Sequence, residues 1–292
     1  MRDFARRGFL YCGAAAVLGG VACAYAVTET EADVMVLLGS ANVQLQAAFM
    51  TPAADRGGVA LSSREELIAT AVEHLESVER RRPGMAVTAE FRGFAHMLRD
   101  EFRAAAACYE RARRCEDCET EQRDVLAFNE ARMLTAAGEG ERALRVLDRH
   151  KQALDARYGH TRRLQEADIL IDLGRHEEAL DRLTIVSADA AAPPMARWEA
   201  GRRLHELGRP AAAAPLLASA CEEHPIAAYD LARLKLAAGD VDTCMELLER
   251  AHTARPAEVR QRLLEEADAW SAVSQDARFR QLEAAAPASP GR

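Results

Sequence analysis

Aromatic residues make up only 5% of this 292-residue chain, and just two of them are tryptophan. A core with so few rings has to be filled by alanine and leucine, which suits helices that approach closely at small side chains. Lysine is nearly missing, since Lys151 and Lys235 are the only ones, so arginine carries the positive charge. Acid exceeds base, with a net charge of −8 and an isoelectric point near 5.6. That balance excludes a nucleic-acid surface, which needs basic residues clustered on one face. No segment shows the alternation of a half-buried strand.

Catalytic signatures are missing as well. There is no His-Glu-x-x-His, no Gly-x-Ser-x-Gly and no phosphate loop. The eight histidines are scattered, without a pair at metal-ligand spacing. His176 and His205 stand beside turns with Glu177 and Glu206 as neighbours, the pattern of a solvated surface. Gly138-x-Gly140-x-x-Ala143 mimics a dinucleotide fingerprint, but it follows a helical segment instead of a strand and reads as a turn. No catalytic residue, cofactor site or metal site is expected.

What the chain does have is a period. Small residues at Ala71, Ala105, Ala143, Ala179, Ala213 and Cys244 recur at intervals of 34, 38, 36, 34 and 31. Each is followed four residues later by a large apolar one: Leu75, Tyr109, Leu147, Leu183, Leu217 and Leu248. Residues four apart stack on one helical face. Three further on, Val78, Ala112, Val186, Ala220 and Ala251 continue the stripe, with His150 the polar exception. Gly138, Gly174, Gly208 and Gly239 precede their small residues by five and permit a tight turn from a preceding helix. Pro83, Pro225 and Pro256 stand twelve past theirs, where a proline stops one helix and starts the next. The unit is a helix, a glycine turn and a second helix.

One copy reads Trp198, Gly201, Leu204, Gly208, Ala213, Leu217, Pro225, and the next Tyr229, Leu231, Ala232, Gly239, Cys244, Leu248, Pro256. This resembles the tetratricopeptide repeat family, whose signature runs Trp-x2-Leu-Gly-x2-Tyr, then Ala-x3-Phe, then Pro. Trp198 stands three residues before Gly201 where the signature has four, and only Gly93 and Gly201 keep the first-helix glycine. The resemblance covers residues 86–256 as five pairs, with a second-helix remnant at 63–83. It implies an all-α chain, an α-solenoid of stacked helix-turn-helix repeats, because each pair buries its apolar face only against its neighbours. It also implies a scaffold for protein or peptide partners, not an enzyme.

The N-terminus sets an expectation for location. Arg2, Arg6 and Arg7 precede an uncharged run over residues 8–27, and Glu29, Glu31 and Asp33 follow it. By the positive-inside rule the repeats are carried across a membrane, to the periplasm or the outer face of the cytoplasmic membrane. The run is long enough to span, yet rich in glycine and alanine, which makes it a marginal anchor and a good signal peptide. Arg6-Arg7-Gly8-Phe9-Leu10 resembles a twin-arginine export signal, and Ala24-Tyr25-Ala26 offers a cleavage site. Cleavage, retention and lipidation at Cys23 remain open, with contact to the membrane through this segment only if it is retained.

Four regions follow: a signal or anchor over 1–27, an apolar helix and loop over 28–60, helical repeats over 61–256, and capping helices with a frayed tail over 257–292. Residues 32–50 are expected to form a helix packed on the first pair, and Ser63 with Glu66 a capping box that opens the next. This apolar segment gives a third reading of the chain, as an oligomerisation module.

Two constellations stand out. Cys115-Glu116-Asp117-Cys118 lacks the second pair of a zinc knuckle and the histidine of a haem site, so a local disulfide is expected in an oxidising compartment, with a thiol-redox helper as the alternative function. On the first helices, Phe128 with Arg132, Trp198 with Arg202 and Tyr229 with Arg233 each place an aromatic four residues before an arginine. In the family resembled, that side faces a peptide groove, so these six residues form the candidate partner site. One reading is an arginine-studded groove for an acidic segment or a C-terminal carboxylate. The other packs the aromatics between repeats and leaves the arginines to solvate the surface.

Overall fold

The computed structural model describes residues 29–51 and 59–284. The expected leader over 1–27, most of the expected loop before the repeats and the expected tail over 286–292 lie outside them. Every regular element among the described residues is a helix, and none is long and apolar enough to cross a membrane. The chain divides into two compact units, Met1–Arg157 and Tyr158–Arg292.

In the first unit the helices are α1 (Glu29–Met50), α2 (Val59–Arg81), α3 (Ala86–Leu98), α4 (Phe102–Arg114), α5 (Thr120–Ala136) and α6 (Gly140–Arg149), followed by the opening turns of α7 (Lys151–Asp172). Tyr158 leaves helical geometry, with φ −132° and ψ 27°, and the units part at this residue. The second unit holds the rest of α7, then α8 (His176–Ala188), α9 (Pro194–Glu206), α10 (Pro210–Ala220), α11 (Ala227–Ala237), α12 (Val241–Ala254) and α13 (Pro256–Glu265). A 3₁₀ turn at Ala267–Val273 and α14 (Ala277–Ala284) follow. Proline opens α9, α10 and α13, where its missing N–H leaves nothing unsatisfied. The helix expected to start behind Ser63 instead begins at Val59, so Ser63 lies inside it and not at its start.

The turns explain the glycines. Gly138, Gly174, Gly208 and Gly239 all have φ between +70° and +80°. The residue after each donates its N–H back across the helix end, as Arg209 does to the Leu204 carbonyl at 2.8 Å. This closure satisfies carbonyls that a helix terminus otherwise leaves unpaired. Asp100 takes the same place in the pair α3–α4 at φ 59°, with Glu101 donating to the His96 carbonyl at 2.9 Å. A residue with a Cβ is strained there by roughly 1–2 kcal/mol. Asp100→Gly is therefore expected to stabilise the chain by about 0.5–1 kcal/mol, after the extra backbone entropy of glycine is subtracted. Urea unfolding followed by circular dichroism measures it, and a loss of stability would overturn the account.

The small and large residues of the repeat form the core. Ala105, Ala143, Ala179, Ala213 and Cys244 are fully buried, as are Leu147, Leu183, Leu217 and Leu248. Glycines on the first helices let the second helices approach: a Cβ on Gly201 would stand 2.9 Å from Leu217, and one on Gly93 would stand 2.9 Å from the Tyr109 ring. Polar contacts between neighbouring repeats keep the same period. Arg99 with Glu65, Gln122 with Glu90, Arg203 with Asp168, Arg262 with Asp230 and Arg278 with Asp242 are each 32 to 36 residues apart.

Candidate functional site

In each pair the second helix covers one side of the first, as Leu217 of α10 does at Gly201 of α9. Trp198 and Arg202, three residues before Gly201 and one after it, are rotated to a neighbouring face and share it at four-residue spacing. Tyr229 and Arg233 hold the same positions on α11.

The aromatics do not form an exposed row. Tyr229 has no exposed surface and Phe128 is only 7% exposed, so both pack between helices. Trp198 alone stays half-buried. Its indole N–H donates to Asp230 Oδ2 at 2.7 Å, and its ring stacks on His224 with centroids 6.0 Å apart. The cause is the next repeat. Asp230 accepts not only from Trp198 but from Arg262 Nη2 at 2.5 Å, and the Arg262 guanidinium lies 4.1 Å above the Tyr229 ring. Trp270 then donates to the Tyr229 hydroxyl at 2.9 Å, which in turn donates to Glu266 at 3.3 Å. Burial, reinforced by Glu266, pushes the Tyr229 phenol well above its ordinary pKa, so it stays a neutral donor.

The arginines are half-buried and answered by carboxylates. Arg202 pairs with Glu206 at 3.0 Å one turn on, and Arg233 pairs at 3.0 Å with Glu266, just past the end of α13. Arg202–Glu206 is a partly exposed pair on one helix, a class worth only about 0.3–0.5 kcal/mol, so an incoming carboxylate competes with it at little cost. A second arginine was missed in the sequence. Arg203 is buried between Asp168, which it meets with two nitrogens, and Glu199 at 3.1 Å. Burial works against its charge, but these two carboxylates hold its pKa above the ordinary arginine value. Asp172, one turn beyond Asp168, has its pKa raised by burial and by that neighbour. The signal that would have found these buried pairs is an arginine one repeat length from an acid.

In the first unit, Phe128 and Arg132 lie on α5, whose Gln122 reaches Glu90 of α3. Gln122 donates to Glu90 at 2.8 Å, and burial raises the carboxyl against that bond. Arg113 and Glu130 form a second buried pair at 2.9 Å.

Cys115 and Cys118, the pair expected to form a local disulfide, are not bonded to one another in this structure. Cys115 Sγ donates back to the Arg111 carbonyl and Cys118 Sγ onward to that of Glu119. Burial, and for Cys115 also Asp117, raises both thiol pKa values, which is opposite to what a reactive thiolate needs. The aspartate between them has a structural task, accepting the Ala86 backbone N–H at 3.0 Å at the start of α3. Among the described residues no group of three or more His, Cys, Asp or Glu side chains is placed to hold a metal ion.

Comparison with protein families matches the tetratricopeptide repeat at residues 125–149, 194–219 and 225–250. The three segments coincide with the pairs α5–α6, α9–α10 and α11–α12. No curated protein matches. Among solved structures, the chain is similar to YrrB, described as a TPR protein with an unusual peptide-binding site. The two are 17% identical with a TM-score of 0.35, over 78% of this chain and 94% of that one.

Proposed function

We propose that this chain, a tetratricopeptide repeat protein, is a non-catalytic scaffold. It works outside the cytoplasm, close to the membrane, and holds a segment of another protein on the first-helix face of its second unit. The observation that carries this reading is Trp198. A large ring left half-exposed, yet pinned by a hydrogen bond to a buried carboxylate and by stacking, is an anchor with little freedom left to lose on binding. Arg202 and Arg233 flank it with planar donors suited to carboxylates, so an acidic segment or a chain terminus fits best. An envelope-assembly or secretion complex is the setting this suggests. The export half of the proposal rests on the charge pattern around residues 8–27.

Displayed peptide libraries selected against the full chain test the ligand class. Enrichment in Asp and Glu is expected, with binding that weakens as salt rises past the point where charges are screened beyond about 10 Å. Arg202→Gln with Arg233→Gln is expected to abolish capture while helicity stays unchanged, because partly exposed ion pairs contribute little to folding. Capture that survives the double change would move the site off this face. A reporter fused behind Arg292 tests location, and activity in the cytoplasm would refute export.

A further inference from the structure

We propose that the outer face of α1 docks a second copy of this chain, antiparallel, about a twofold axis passing between Gly39 and Ser40. From Val34 to Met50 the helix carries no charged residue. One side, with Val34, Leu38, Ala41, Leu45 and Ala48, is buried against its own unit. The opposite side is also apolar, and Met35, Val36, Val43 and Met50 are 61%, 71%, 68% and 73% exposed. These are four of the eight large apolar side chains exposed among the described residues. Ser40, Asn42, Gln44 and Gln46 are the polar residues of this stretch, and an exposed apolar stripe of this size marks a contact surface.

The pattern on that face selects the occupant. The exposed stripe runs Ala32, Val36, Gly39, Val43, Ala47, at spacings of four, three, four and four, the rhythm of a helix that packs along a partner helix. Its valines and alanines are placed symmetrically: Val36 and Val43 are equidistant from the midpoint of the helix, and so are Ala32 and Ala47, while Gly39 maps onto Ser40. An antiparallel copy therefore sets Val36 on Val43 and Ala32 on Ala47, an isologous contact of the kind a twofold dimer requires. Gly39 sits at the centre with open space where its Cβ would point, so two backbones can approach there.

Charge decides between orientations and between partners. Glu29, Glu31 and Asp33 lie at one end of α1, and no basic residue lies on it. A parallel pair would stack these acids on their own copies; the antiparallel pair separates them to opposite ends, beside the uncharged half of the partner. An anionic bilayer surface is repelled by the same acids, and Arg81 of α2 is engaged with Asp33 at 3.7 Å. The face is about 33 Å long for its 22 residues and about 10 Å wide. Two copies thus bury on the order of 700 Å², less than the roughly 1,200 Å² of a stable complex, and the dimer is a weak one.

Cysteine cross-linking of the full chain tests both contact and register. Val36→Cys mixed with Val43→Cys is expected to give several-fold more disulfide-linked dimer than either variant alone or the unsubstituted chain, whose own thiols set the background. Val36→Glu with Val43→Glu is expected to leave helicity intact and to abolish the concentration-dependent rise in sedimentation coefficient. Cross-linking of Val36→Cys with itself would overturn the antiparallel arrangement. Sedimentation unmoved by the glutamates, with no mixed cross-link, would overturn the dimer. Flotation with phosphatidylethanolamine–phosphatidylglycerol vesicles that needs the same valines, again without a mixed cross-link, would assign the face to lipid and overturn it too.

Discussion

Asp230→Ala is expected to lower the stability of the second unit by about 3–5 kcal/mol, the range for removing one partner of a buried ion pair. Asp230 is 2% exposed and is the acceptor that Trp198 and Arg262 share across three successive first helices. Without it the Arg262 guanidinium is left in a buried site with only Glu266, at 3.6 Å, to answer it. The Trp198 indole N–H loses its acceptor at the same time, so the anchor of the proposed site is loosened along with the fold. Both tryptophans of the chain, Trp198 and Trp270, lie in the second unit, so their fluorescence in urea reports that unit alone. Replacing the pair together, Asp230→Leu with Arg262→Met, is expected to recover most of the loss, since an apolar pair of similar volume leaves no buried charge. A loss under about 1 kcal/mol for the alanine variant would mean that solvent reaches the pair.

Trp270→Ala is expected to remove a comparable amount, about 3–5 kcal/mol, as for other buried aromatic truncations. Trp270 is fully buried on the 3₁₀ turn that follows the last full pair, edge-on to Tyr229 with centroids 5.2 Å apart and 5.9 Å from the Phe279 ring. It closes the end of the stack, where no further repeat covers Tyr229, and its N–H is the donor to the Tyr229 hydroxyl. The alanine variant leaves a cavity and removes one of that hydroxyl's two partners. Trp270→Phe keeps most of the volume and loses only the donor, so a smaller loss of about 1–2 kcal/mol is expected. Trp198 remains as the fluorescent probe in both variants. Equal losses for alanine and phenylalanine would show that the hydrogen bond, and not the packing, holds the cap.

The helices, their turns and their pairing were legible because they rest on local geometry. A small residue and a large one four apart define a face within a single helix. Glycine at a fixed distance before them marks a backbone that must turn left-handed, and only Asp100, the non-glycine holder of that position, escaped notice. The candidate site was legible in position and not in exposure. Tyr229, Phe128 and Trp198 occupy equivalent places, yet one is sealed, one nearly so and one half-open.

The sequence by itself determined the class of fold, the period, the register of small against large residues and the place of the glycine turns, all of which depend on residues within a few turns of one another. Tertiary structure alone decided which aromatic stays open and which arginine is buried. Each of the burial outcomes hangs on a partner one repeat away, such as Asp230 for Trp198 or Asp168 for Arg203, 32 and 35 residues distant. The free energy of a buried charge or an indole N–H is set by whether that distant partner arrives, and helical periodicity carries no term for it.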